Sequence, residues 1–142
     1  MDRCNATELL RLKNVKVTRS RIAILDEIIA SDNPVNAIDL HNGLSGQLTV
    51  NLATVYRMLK LFVDVGILRE AFADNGTQYF EMACVHNPAH AHFQCSKCKR
   101  IICLSPLTFE DTILFSEASK IGEINEINIK LKGICQKCRS TA

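Results

Sequence analysis

The sequence predicts an α+β protein in two parts: a helical N-terminal part closed by a β-hairpin, then a small α/β part held by cysteines. Three observations predict it. Four amphipathic stretches, three of them behind polar caps, fill the first sixty-six residues. Asp74-Asn75-Gly76 then stands between two strand-like runs, a strong hairpin signal. Finally, two C-x-x-C motifs, Cys95–Cys98 and Cys135–Cys138, bracket a short region of strand and helix patterns.

The elements follow in order. Residues 5–13 form a short helix carrying Leu9, Leu10 and Leu12. Thr18 caps a helix over Arg19–Ser31, with Ile22, Leu25, Ile28 and Ile29 on one face, and Asp32-Asn33-Pro34 breaks it. Asn36 caps a third helix with Ala37, Leu40 and Leu44 as its apolar stripe; Ser45-Gly46 ends it. Asn51 opens a fourth, with Val55, Leu59 and Phe62 inward and Gly66 as its stop. Strands over Ile67–Phe72 and Thr77–Met82 make the hairpin, and this order is that of a winged helix-turn-helix over residues 1–83. The second domain, 84–142, begins with a loop-like stretch to Ala89 and short strands at His90–Gln94 and Arg100–Leu104. A helix from Pro106 to about Ile121 carries Leu107, Leu114, Ala118 and Ile121 on one side, and Glu123–Lys132 alternates as a last strand. So small a unit needs a staple or a partner subunit.

Composition narrows the function classes. Hydrophobic residues make up 47% of the 142, too many for a disordered chain, yet no apolar run approaches a membrane span. The start, MDRCNATELLRL, is charged and helical, unlike a signal peptide, so a cytoplasmic protein is expected. The net charge is only +2, but residues 1–25 concentrate Arg3, Arg11, Lys13, Lys16, Arg19 and Arg21 against Asp2 and Glu8. Such a cluster serves either a polyanion or simply a solvated helix face.

Seven cysteines without an export signal argue against a disulfide framework. The two C-x-x-C pairs instead predict a closed Cys4 structural zinc site of Cys95, Cys98, Cys135 and Cys138. Lys97, Lys99, Lys137 and Arg139 beside them offset the charge of four thiolates. Nothing is left open for a catalytic water, and no H-x-E motif accompanies the cysteines as it does in zinc deaminases, so no enzyme is expected.

Read together, Asn51-Leu-Ala-Thr-Val-Tyr-Arg57, Lys16-Val17-Thr18 with Arg21, His90-x-His92 leading into Cys95-x-x-Cys98, and Gly133-Ile-Cys-x-x-Cys138 resemble the ferric uptake regulator superfamily over about residues 8 to 139. The resemblance implies a homodimer, its C-terminal part the dimerisation domain, that reads a palindromic operator in double-stranded DNA. It implies Tyr56 and Arg57 near the bases, helped by Asn51 and Thr54. Lys16 is placed toward a minor groove or phosphate, and Arg21 toward a phosphate.

His90 and His92 leave the same face of a strand and make a chelating pair. Where iron and peroxide branches of the superfamily have a histidine after the second helix, Asn33-Pro34 stands here. Cys84 and Cys103 occupy positions of carboxylates, and thiolates favour zinc over harder ions. The pattern resembles the zinc-uptake branch, which implies a regulatory divalent metal, zinc favoured, on Glu70, Cys84, His90 and His92, with Glu81, His86 and Cys103 in reserve. Cys103 reads equally as a buried small hydrophobe, and Cys4 as a plain thiol. The functional expectation is a metal-responsive repressor of uptake or homeostasis genes. A thiol-redox, peroxide- or iron-responsive regulator of the same fold remains open, as does a zinc-ribbon interaction module that never touches DNA.

Overall fold

In the computed structural model, residues 4–84, 86–106, 112–125 and 127–140 are described. The element order is α1 Ala6–Leu12, α2 Arg19–Ala30, α3 Ala37–Leu44, α4 Leu52–Asp64, β1 Leu68–Asp74, β2 Thr77–Met82, β3 His92–Cys95, β4 Ile101–Cys103, α5 Ile113–Ile121, β5 Lys130–Gly133 and α6 Gln136–Ser140. The chain divides into two compact units, Met1–Pro88 and Ala89–Ala142. Among the described residues, no helix is long and apolar enough to cross a membrane.

Local chemistry sets the helices of the first unit. Each begins at a polar cap in extended conformation whose side-chain oxygen accepts the amide three residues on. The caps are Asn5 for Glu8, Thr18 for Arg21, Asn36 for Asp39 and Asn51 for Thr54. Each cap satisfies one of the orphan donors of a helix start and is worth about 1 kcal/mol. The apolar faces converge on one core: Leu10 from α1, Ile24, Leu25 and Ile28 from α2, Leu40 and Leu44 from α3, Val55, Leu59 and Phe62 from α4, and Leu68, Phe80 and Met82 from the hairpin. Burying each of these larger side chains contributes about 1.5–3 kcal/mol. On α2 the core position is Ile24; Ile22, expected inward, is only partly buried.

The hairpin turns at Asn75 and Gly76, both at positive φ (50° and 80°), as a two-residue turn between right-twisted strands requires. Its antiparallel register pairs Arg69 with Glu81 and slips between Glu70 and Phe72. That bulge turns both Ala71 and Phe72 inward. Val35 bridges Phe80 and fastens the hairpin to the segment before α3.

The second unit is a three-stranded sheet in the order β4-β3-β5. β3 pairs antiparallel with β4 and parallel with β5. The last strand is shorter than the alternation predicts, starting at Lys130 rather than Glu123, and α6 was not expected. α5 is capped by Thr112, which accepts from the Phe115 amide; of the expected helix from Pro106, residues 107–111 lie outside the described ones. Leu107, expected on that helix, is among them. α5 buries no residue within the chain, and Ile113, Leu114 and Ile121 are 80%, 73% and 90% exposed.

Candidate metal centres and nucleic-acid interface

The parallel pairing of β3 with β5 builds the first centre. It sets Cys95 level with Gly133, so the second C-x-x-C starts two residues beyond the first. The Ser96 amide and hydroxyl both donate to the Gly133 carbonyl, at 2.7 and 3.1 Å, which holds the two turns together. Lys99 adopts φ 64° as the chain folds back after the first motif. The result is that one Sγ from each of Cys95, Cys98, Cys135 and Cys138 lies within 4.8 Å of the others, and Cys98 and Cys135 are 3.9 Å apart.

This spacing fits zinc. A tetrahedron with zinc–sulfur bonds of about 2.3 Å has edges of about 3.8 Å. The electrostatics fit as well. The Cys135 amide donates to the Cys95 sulfur at 3.3 Å. That amide and the Cys98 amide hold the Cys95 thiol well below its usual 9.0, at about 6. The Cys135 thiol is also lowered, chiefly by the Cys138 amide. Cys138 is pushed up to about 12, first by its contact with Cys135 and then by burial. One thiolate thus forms readily and suppresses another beside it; four together call for a cation. When bound, zinc would supply a cross-brace for a thin core.

The second cluster lies on the same strand. β3 and β4 pair His92 directly with Cys103, and the ladder continues through the Leu104 amide to the Ala91 carbonyl. His90 lies just before β3, two residues from His92, and the two rings sit 4.5 Å apart, centroid to centroid. One donor atom from each of His90, His92 and Cys103 lies within 4.8 Å of the others. His92 is buried; His90 and Cys103 are partly so. Two imidazoles and a thiol form a borderline-soft set of three of the four donors a tetrahedral ion takes, suited to zinc more than to an oxygen-seeking ion.

The remaining expected regulatory ligands belong to the first unit. Cys84 is bonded to Cys4 in a disulfide of the first unit. Both residues pack at the edge of the same core, which brings the start of α1 beside the end of the hairpin. In that disulfide form its sulfur is not available to a metal; within the second unit, Cys103, held in reserve, lies beside the two histidines. Glu70 is an exposed residue of β1. Glu81 is buried and takes the Arg69 Nε–H at 2.8 Å. Arg69 also donates to the carbonyls of Asn87 and Pro88, at 2.8 and 3.2 Å, fastening the segment that leaves the hairpin. His86 is exposed and lines a groove with Cys4 and Cys84. A fold symmetrical about the Lys97–Cys98 bond sets His92 against Cys103, so the first C-x-x-C turn already held the signal for Cys103. No local pattern signals the Cys4–Cys84 pair.

α4 presents the candidate nucleic-acid face. Val55, Leu59 and Phe62 are fully buried, which leaves Tyr56 half exposed and Arg57 on the open side. The Arg57 guanidinium donates to Thr54 Oγ1 at 3.2 Å. The Asn51 side-chain oxygen is engaged as the helix cap, so Asn51 orients the helix start rather than extending from it. Thr54 likewise steadies Arg57. Arg21 donates to the Lys16 carbonyl at 2.8 Å, which ties the two expected phosphate-facing residues to each other.

Comparison with known proteins gives a consistent result. The peroxide-responsive repressor PerR of Staphylococcus epidermidis is 25% identical over 131 residues, covering 92% of this chain and 85% of that protein. The crystal structure of the Vibrio cholerae ferric uptake regulator is 28% identical, covers 91% of this chain and 98% of its own, and superposes with a TM-score of 0.73. A zinc uptake regulator complexed with zinc and DNA shares the fold, with 23% identity, coverage of 96% and 91%, and a TM-score of 0.67. The family model described as the ferric uptake regulator family matches residues 12–132. With that match spanning nearly the whole chain, the protein belongs to the ferric uptake regulator family of metal-responsive transcriptional regulators.

Proposed function

We propose that the protein is a homodimeric repressor that binds a palindromic operator in double-stranded DNA when a regulatory zinc is bound. The observation that carries this reading is the division of labour on α4: three apolar residues lock it to the core while Tyr56 and Arg57 face outward. An arginine so placed suits a bidentate contact to guanine, and a tyrosine suits a thymine methyl. The bare apolar face of α5 is what a second copy would cover, and a C2 dimer of such units suits a two-fold operator.

Cys95, Cys98, Cys135 and Cys138 serve as the structural zinc site in this reading. His90, His92 and Cys103 are the core of the regulatory one, and their donor chemistry favours zinc as the sensed ion. Glu70 and Cys84, expected from the sequence, stay candidates to be tested by substitution. The switch needs only that metal bind the DNA-competent state better than the other, and a hundredfold preference shifts that balance by about 2.7 kcal/mol. Operator affinity measured by fluorescence anisotropy, with structural zinc kept and free zinc varied, tests the proposal. A zinc-dependent rise that Cys103→Ser removes supports it. Affinity indifferent to zinc, manganese and ferrous iron alike would refute it.

A further inference from the structure

We propose that Cys4 and Cys84 form a reversible redox-modification site, closed to a disulfide by a hydroperoxide and reopened by a small thiol reductant. The structure joins the residue before the α1 cap to the segment that follows β2, across 80 positions of sequence. Both cysteines border an open groove of about 540 Å³, lined also by Asn5, Lys13 and His86, so small oxidants and reductants reach the bond.

The second argument comes from the rest of the chain. Five other cysteines are thiols, and four are gathered into a cluster that works only when reduced. A compartment that keeps those four as thiols does not hold a disulfide permanently. A pair that bonds in such a chain is therefore one that opens and closes.

The chemistry balances. One thiolate attacks the O–O bond of the hydroperoxide, giving a sulfenic acid and an alcohol, or water when the oxidant is hydrogen peroxide. The second thiolate attacks that sulfur, the S–S bond forms, and the hydroxyl leaves as water. Two thiols and one hydroperoxide yield one disulfide, one alcohol and one water. Two equivalents of a thiol reductant reverse it.

The test uses the full chain, zinc-loaded and reduced, exposed to a small excess of hydrogen peroxide, alkylated and digested for mass spectrometry. A Cys4–Cys84 peptide two hydrogens lighter is expected. Alkylation of both residues should fall together by about tenfold or more. Dithiothreitol should restore both while the zinc of the four-cysteine centre is retained. In Cys4→Ser, Cys84 should be trapped by dimedone as the sulfenic acid with no cross-link. Oxidation and zinc loss at Cys95, Cys98, Cys135 or Cys138 while Cys4 and Cys84 stay open to alkylation would overturn the proposal. So would a Cys4–Cys84 bond that dithiothreitol leaves intact.

A zinc titration of the two states separates this inference from the regulatory role of Cys84, on which it does not depend. If the oxidised chain loses a second zinc equivalent, the bond also gates metal binding. If both states take that equivalent equally, the redox site stands and Cys84 leaves the regulatory set.

Discussion

Arg69 offers the sharpest test of how the first unit is held together. Its guanidinium bonds the buried Glu81 carboxylate across the hairpin and two carbonyls of the segment leading out of it. Arg69→Met keeps the stem's packing but takes the cation from Glu81. Breaking a fully buried pair costs about 3–5 kcal/mol. The Arg69 side chain is 25% exposed against 8% for Glu81, so solvent screening trims the expected loss to about 2–3 kcal/mol. Read by hydrogen exchange of the β2 amides, that corresponds to opening about 30- to 150-fold more frequent. Glu81→Leu should cost less, because Arg69 reaches water and keeps its two carbonyls. The double variant Arg69→Met, Glu81→Leu should exchange more slowly than the sum of the singles implies, with a coupling of about 2 kcal/mol. Additive effects, or an Arg69→Met chain that exchanges as the parent does, would refute the claim that this pair fastens the hairpin.

Three further outcomes are expected. Arg57→Ala should lower operator affinity by about 1–3 kcal/mol and relax sequence preference, whereas Lys16→Ala should weaken all sequences alike and reduce the salt dependence; competition anisotropy checks both. Leu114→Glu should shift the chain to monomer in sedimentation, because it places a charge on the bare face of α5; an unchanged dimer would remove that face from the interface. Zinc binding at about pH 7.5 should release fewer than four protons per structural ion, since Cys95, held at about 6, is already a thiolate there. As a depressed acid, Cys95 stabilises the zinc-free fold fully above pH 9 and loses that contribution as pH falls toward 6. Calorimetry in buffers of different ionisation heat gives the proton count, and four protons at that pH would contradict the account.

What was legible in the sequence was what neighbouring residues decide. The caps at Thr18, Asn36 and Asn51, the Asn75-Gly76 turn and the inward faces of α3 and α4 follow from short-range spacing. The four-cysteine cluster was legible because each C-x-x-C makes a local turn with two sulfurs on one side. What stayed hidden depends on pairing across the fold. Cys103 lies opposite His92 because β3 and β4 pair in one register, and the same alternation in isolation suits a buried hydrophobe equally well. Cys4 finds Cys84 because α1 packs beside the end of the hairpin, which no periodicity near either residue encodes. The bulge in β1 likewise leaves both Ala71 and Phe72 buried, against simple alternation. Thr112 caps α5, and the residues between Pro106 and Thr112, over which the expected helix runs, lie outside the described ones.

The zinc brace is the centre of the account, and X-ray absorption at the zinc edge examines it most directly. With one equivalent of zinc on the full chain, four sulfur neighbours at about 2.3 Å are predicted, lost together with the ion in Cys98→Ser. A shell containing nitrogen or oxygen, or a chain that retains its zinc unchanged in that variant, would contradict it.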